Sequence, residues 1–309
     1  MGFLLRIAGA TIAVSILFSI VDPQKLSNAL ARSDIGFFFP AFLIAIASPL
    51  LTSVRLKLFL SATGTQVAYS RCLSASLCGL SLNLFLPARG GDLVKLAYLR
   101  KDGKPSWGIL AGAALLERGF DVLALGLLGL TASLALGLRD AAFISGSVAM
   151  AAIAGLLILP RLGSLPIVGK KAKNFSSIVK MTAQNKLRLL SCFGVCCICW
   201  ATNSMIMGLL LKAFDETLSL THALATTPPS ILAGIVPVSL WGVGTRDGAL
   251  AYFLQGFTAP ENAISAGFLY TVLVYWLLGL IGLPALLLAR RKTKTIPDDS
   301  AKSNALKSK

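Results

Sequence analysis

Histidine is nearly missing from this sequence: 309 residues contain one, His222. That leaves no imidazole pair for a zinc triad. Acidic residues are scarce too, 13 Asp and Glu against 29 Lys and Arg, and charged residues make up only 14% of the chain. A soluble domain averages about 25%, so a water-facing surface cannot be assembled from this composition. Alternating ten-residue strands, the signature of a membrane barrel, are absent as well. No phosphate loop, nucleophile elbow or metal-binding spacing occurs. The "GVG" of Gly242–Gly244 lacks the third glycine and the strand–helix setting of a dinucleotide site. These absences argue against an enzyme and against any cofactor.

What remains is apolar: 55% hydrophobic residues and a mean hydropathy of +0.77. Lipid admits only helices and closed barrels, so the expected fold is an all-α polytopic membrane protein. The apolar runs lie at about 3–21, 36–54, 72–86, 107–137, 142–160, 188–211, 222–256 and 263–289. A span needs about 20 residues. The run 72–86 is short and stops at Pro87, and 222–256 is interrupted by Pro228, Pro229, Pro237 and glycines. Residues 3–21 also fit a secretory leader with "ALA" at 29–31 as its cleavage site; kept as a span, they give the better topology.

The net charge of +16 sits in short connectors, as membrane topology requires, and does not indicate a nucleic-acid partner. The connectors 55–71, 87–106, 161–188 and the tail from 290 are basic, whereas 22–35, 138–141, 212–221 and 257–262 are balanced or acidic. The positive-inside rule puts the basic set in the cytoplasm, with both termini. Both flanks of 72–86 then fall inside and both flanks of 222–256 fall outside, so each broken run dips into the membrane and returns. The expected architecture is an inverted-topology repeat, 1–138 and 139–290, of about six spans plus two re-entrant segments, followed by a basic, disordered tail at 291–309. The alternative is eight kinked spans.

Broken, Gly/Pro-interrupted segments in matching halves point to a substrate site. The first break carries Asn83, Pro87, Arg89, Gly90, Gly91, Asp92 and Lys95; the second carries Pro237, Ser239, Gly242, Gly244, Arg246 and Asp247. Glycines there permit positive φ or close approach, Asp92 is an N-cap candidate, and helix starts with arginines suit a phosphate. Between the breaks, Glu117, Arg118 and Asp121 interrupt an apolar run; Glu117 lies roughly 15 Å from the run's inner end. Ionisable groups at that depth read as functional, or as braces in which Glu117 or Asp121 pairs with Arg89 or Arg246. Cys192, Cys196 and Cys199 share a helix face; with no carboxylate or histidine nearby in sequence, packing is expected there and not a metal.

Together the pattern Asn83…Leu86-Pro87-Ala88-Arg89-Gly90-Gly91-Asp92, then Glu117-Arg118…Asp121, then Pro237-x-Ser239…Gly242-x-Gly244-x-Arg246-Asp247 resembles the flippase-like membrane domain of lysylphosphatidylglycerol synthases, over about residues 5–290. Trp241 stands where the family usually has a glycine, Asp247 where it has Glu and Lys95 where Arg is common. The resemblance implies a bacterial inner-membrane protein that binds and translocates a lipid with an anionic or zwitterionic headgroup. The tail after Arg290 shows no aminoacyl-transfer domain, which implies lipid handling without aminoacylation. The rival expectations are a small-anion transporter and a non-catalytic membrane subunit partnering a lipid or polysaccharide enzyme.

Overall fold

The computed structural model describes residues 24, 28, 31–85, 90–100, 105–162, 186–234 and 242–294. The first apolar run, Arg89 and Ser239 lie outside the described residues, as do Pro87 and Pro237. Every regular element described is helical.

Helix α1 (Phe38–Ala62) is entered through a 3-10 turn, Ile35–Phe37, whose first amides are capped by Asp34: the Gly36 amide donates to its carboxylate at 2.7 Å. Pro49, inside α1, has no amide proton to give the Ala45 carbonyl. In hydrocarbon that carbonyl needs another donor, and the Ser48 hydroxyl supplies it at 2.8 Å. The helix runs well past the expected end of its apolar run. Arg55 and Lys57 therefore belong to the helix and not to a cytoplasmic connector, which corrects the boundary read from the sequence.

Two helical hairpins follow the two sequence breaks. The first pairs α2 (Tyr69–Phe85) with α3 (Gly91–Leu99). The second pairs α7 (Leu220–Gly234) with α8 (Thr245–Phe253). At 1.5 Å per residue, a nine-residue helix is about 14 Å long, too short for a hydrocarbon layer of about 30 Å.

The other elements are long. They are α4 (Trp107–Ala135), α5 (Arg139–Leu162), α6 (Lys186–Phe214) and a final helical stretch. That stretch runs through α9 (Pro260–Thr271), a π-helical segment (Val272–Leu277), α10 (Leu278–Ile281) and α11 (Leu283–Lys294). Among the described residues, four helical segments are long and apolar enough to cross a membrane: Ile35–Ala62, Arg139–Ile158, Lys186–Phe214 and Pro260–Leu288. The 29-residue α4 has the length too, but carries Glu117, Arg118 and Asp121. The protein is an all-α membrane protein.

The hairpins enter from opposite ends of α4. Beside its start, the Arg100 guanidinium at the end of the first hairpin lies 5.4 Å from the Trp107 ring centroid. At its other end, Ser133 donates to the Ala225 carbonyl of α7 at 3.0 Å, and Tyr252 of α8 donates to Asp140 at 2.6 Å. Three long helices, α4, α5 and α6, separate the hairpins in the chain.

Helix α4 ends in a Schellman turn. Gly137 adopts φ 70°, Leu138 N–H donates to the Ser133 carbonyl at 2.9 Å, and Gly137 N–H donates to the Leu134 carbonyl at 3.2 Å. The chain then reverses into α5, and the two helices meet through small residues: a Cβ on Gly126 would stand 2.8 Å from the Ala149 amide nitrogen. Such close backbone contact is how helices associate where no water drives them together. Phe143, Met150 and Leu157 form an exposed apolar stripe along α5, suited to lipid. Cys192 and Cys196 pack with Phe59, Phe120 and Ile231 in one of the buried cores.

Candidate functional site

The carboxylates of Glu117 and Asp121 are one helical turn apart on α4, so they share a face. That face turns inward: both residues are 2% exposed. Two bare carboxylates at this depth would be prohibitive, and the compensating cation comes from α1. Arg55 places Nη2 2.9 Å from Glu117 Oε1 and donates from Nη1 to Asp121 Oδ1 at 2.6 Å. The planar fork of a guanidinium bridges two acceptors this way, whereas an ammonium offers one point charge.

Further groups complete the cluster. Trp200 Nε1 of α6 donates to Asp121 Oδ1 at 3.0 Å. Lys95 of α3 lies 3.5 Å from Glu117 Oε1. Arg118 Nη1 lies 3.5 Å from Asp121 Oδ2, and its Nη2 forms an ion pair with Asp92 of α3. The cluster thus ties the first hairpin to α1, α4 and α6.

The hairpin reaches this position because α2 and α3 touch backbone to backbone. A Cβ on Gly91 would collide with the Gly79 carbonyl oxygen and with Asn83, and one on Gly79 would stand 3.2 Å from Lys95 Cβ. Gly91 N–H donates to Asn83 Oδ1 at 2.9 Å, so a residue of α2 caps the first amide of α3. Asp92, expected as the N-cap, lies instead in the first turn of α3, with Gly90 at the cap at φ −58°. Close approach, not positive φ, is what requires a glycine at 91. Gly91→Ala should therefore lower stability by about 1–3 kcal/mol through overpacking, seen as a reduced melting temperature in detergent.

Beside the cluster lies a cavity of about 140 Å³. Arg55, Lys95, Arg118, Asp92, Asn83 and Asn203 are among its polar lining residues, while Trp200, Tyr270 and Tyr275 form an aromatic wall. Val274, Tyr275 and Leu278 reach it from the π-helical segment and the helix after it. Local π-helix is frequent at functional sites.

Among the described residues, none from the second hairpin lines this cavity. Gly242 and Gly244 adopt φ 81° and 90°, as their place in a tight turn requires. Asp247 in the first turn of α8 accepts the Gly244 amide at 3.3 Å. Arg246 and Asp247 are 1% exposed and pair with each other. Arg246 Nη2 also donates to the Gly267 carbonyl at 2.6 Å and to Thr271 Oγ1 at 2.8 Å, and its guanidinium carbon lies 4.9 Å from the Tyr270 ring centroid. Gly267 must lack a side chain because a Cβ there would overlap the Asp247 carboxylate. This motif bolts the hairpin to α9 behind Tyr270. Tyr270 in turn donates to Asn203 Oδ1 at 2.7 Å on the cavity wall.

Of the residues singled out in sequence, Asn83, Gly91, Asp92, Lys95, Glu117, Arg118 and Asp121 converge on one place, while Gly242, Gly244, Arg246 and Asp247 converge on another. The buried carboxylates pair with Arg55, Lys95 and Arg118, and not with Arg246. Sequence reasoning missed Arg55, Trp200, Asn203, Tyr270 and Tyr275. For Arg55 a signal existed: "VRLKLFLSA" continues the helix with no breaker before Gly64.

The model of the lysylphosphatidylglycerol synthase TM region matches residues 3–282. The chain belongs to this family. It is also similar to a "UPF0104 membrane protein" from Methanothermobacter thermautotrophicus, with 20% identity over 320 aligned positions covering 92% of this chain and 94% of the relative. The match to the lysylphosphatidylglycerol synthase TM family spans both hairpins and the charged cluster between them.

Proposed function

We propose that this protein binds the headgroup of a polar or anionic lipid in the cavity at the first hairpin and carries it between leaflets. One observation supports this above the others. Arg55, Lys95 and Arg118 line an aromatic-walled cavity inside a helical bundle whose outer faces are apolar. A charge at mid-bilayer costs at least about 2.5–3.5 kcal/mol on insertion scales; cations waiting along the path lower that cost for a phosphate. The acyl chains need no protein cover and stay in lipid. The activity is binding and movement without bond cleavage. Family membership supports a bacterial cytoplasmic membrane as its place, and the basic connectors support both termini on the cytoplasmic side.

The test is exchange of a fluorescent phospholipid between leaflets of proteoliposomes. Lys95→Ala and Arg118→Ala should each slow it by about tenfold or more, the loss of one charge-assisted contact. Wild-type rates in both variants would overturn the mechanism. Uptake of radiolabelled phosphate without lipid exchange would make the protein a solute transporter instead.

A further inference from the structure

The cluster raises a difficulty that its geometry answers, provided the lipid-binding reading above holds. Among the described residues, three cations (Arg55, Lys95, Arg118) face three carboxylates (Asp92, Glu117, Asp121). Among these described groups no positive charge is spare, so an anionic group that binds one of these three cations takes it from a carboxylate already there.

Burial decides which carboxylate gives way. The side chains of Glu117 and Asp121 are 3% exposed and share the Arg55 fork; stripping either would leave an uncompensated charge in a dry interior. The Asp92 side chain is 29% exposed, its Arg118 partner 41%, and both line the cavity. A partly exposed pair is weak, and water can receive the released carboxylate. Asp92 also lies in the first turn of α3, where the helix dipole favours its negative charge without Arg118. Arg118, once freed, presents a fork matched to phosphate oxygens.

We infer that Asp92 is an internal stand-in for the substrate's anionic group. It occupies Arg118 in the empty protein, and an entering phosphate displaces it. Displacement also cuts one of the two ion pairs that join α3 to α4 among the described residues, leaving Lys95 with Glu117. Binding therefore loosens the first hairpin, and the ligand itself unlatches the element it passes.

Purified protein in neutral detergent is titrated with dihexanoyl phosphatidylglycerol, and separately with inorganic phosphate, by calorimetry. Wild type should bind the phospholipid. Asp92→Asn should bind it about tenfold more tightly, and Arg118→Gln should abolish binding with or without the Asp92 change. A brace predicts the reverse order, because losing it disorders the site. Wild-type binding with equal or weaker binding by Asp92→Asn sinks the stand-in role alone. Absence of phospholipid and phosphate binding in every variant sinks the lipid-binding reading and this inference with it. Phosphate binding that follows the same order, without phospholipid binding, keeps the displacement and assigns the site to a free anion. Hydrogen–deuterium exchange on the unaltered protein tests the point without a variant. Dihexanoyl phosphatidylglycerol should speed exchange of the α3 amides by about threefold or more, and slower or unchanged exchange overturns the unlatching.

Discussion

Arg55→Ala should be among the most damaging single substitutions in this protein. It removes the guanidinium that, among the described residues, bridges Glu117 and Asp121, and leaves two buried carboxylates short of charge. Breaking a buried pair from one side costs about 3–5 kcal/mol. The expected readout is a sharp fall in the yield of monodisperse protein and in its melting temperature in detergent. Arg55→Lys should recover only part, because one ammonium cannot satisfy both carboxylates. Adding Glu117→Gln and Asp121→Asn to Arg55→Ala should recover more, since the stranded charges are then gone. A melting temperature for Arg55→Ala within about 2 °C of wild type would refute the bridging role.

A second large effect is expected at the other hairpin. Arg246→Ala and Asp247→Ala should each cost about 3–5 kcal/mol, because each strands a partner that is 1% exposed. Replacing both at once, Arg246→Met with Asp247→Leu, should restore much of the loss, as buried ion pairs often tolerate well-packed apolar substitutes. This pair lies behind Tyr270 and not on the cavity. The double variant, once stable, should therefore exchange lipid within about threefold of wild type, a difference under about 1 kcal/mol in barrier. Stable protein with exchange abolished would return Arg246 to the binding machinery, where the sequence pattern had suggested it. The two motifs look alike in sequence because each combines glycines with an Arg or Lys near an Asp at the start of a short helix. They differ in the fold because Asp247 can reach its own neighbour, whereas Asp92 reaches Arg118 on another helix.

Much of this architecture was legible before any coordinates. Low charge and long apolar runs require helices in lipid. Breakers at Pro87 and Pro237 and the glycines that follow require two interruptions, and the distribution of Lys and Arg placed their open ends on opposite sides. The described hairpins fit that arrangement, entering beside Trp107 at one end of α4 and beside Ser133 at the other. Glu117, Arg118 and Asp121 were conspicuous because ionisable groups within an apolar run have few structural excuses.

The sequence by itself determined the class of protein, its helical hairpins and the seven residues, from Asn83 to Asp121, that gather at the first of them. These follow from local facts: hydropathy, helical period and the backbone demands of proline and glycine. The tertiary structure alone decided that Arg55 answers carboxylates 62 and 66 positions away, that Trp200 and Tyr270 wall the cavity, and that Arg246 turns away from it. The reason is that charge pairing in a membrane interior depends on which helix faces meet and how closely. Contacts such as Gly79 with Gly91 and Gly267 with Asp247 set that distance, and no linear pattern records it.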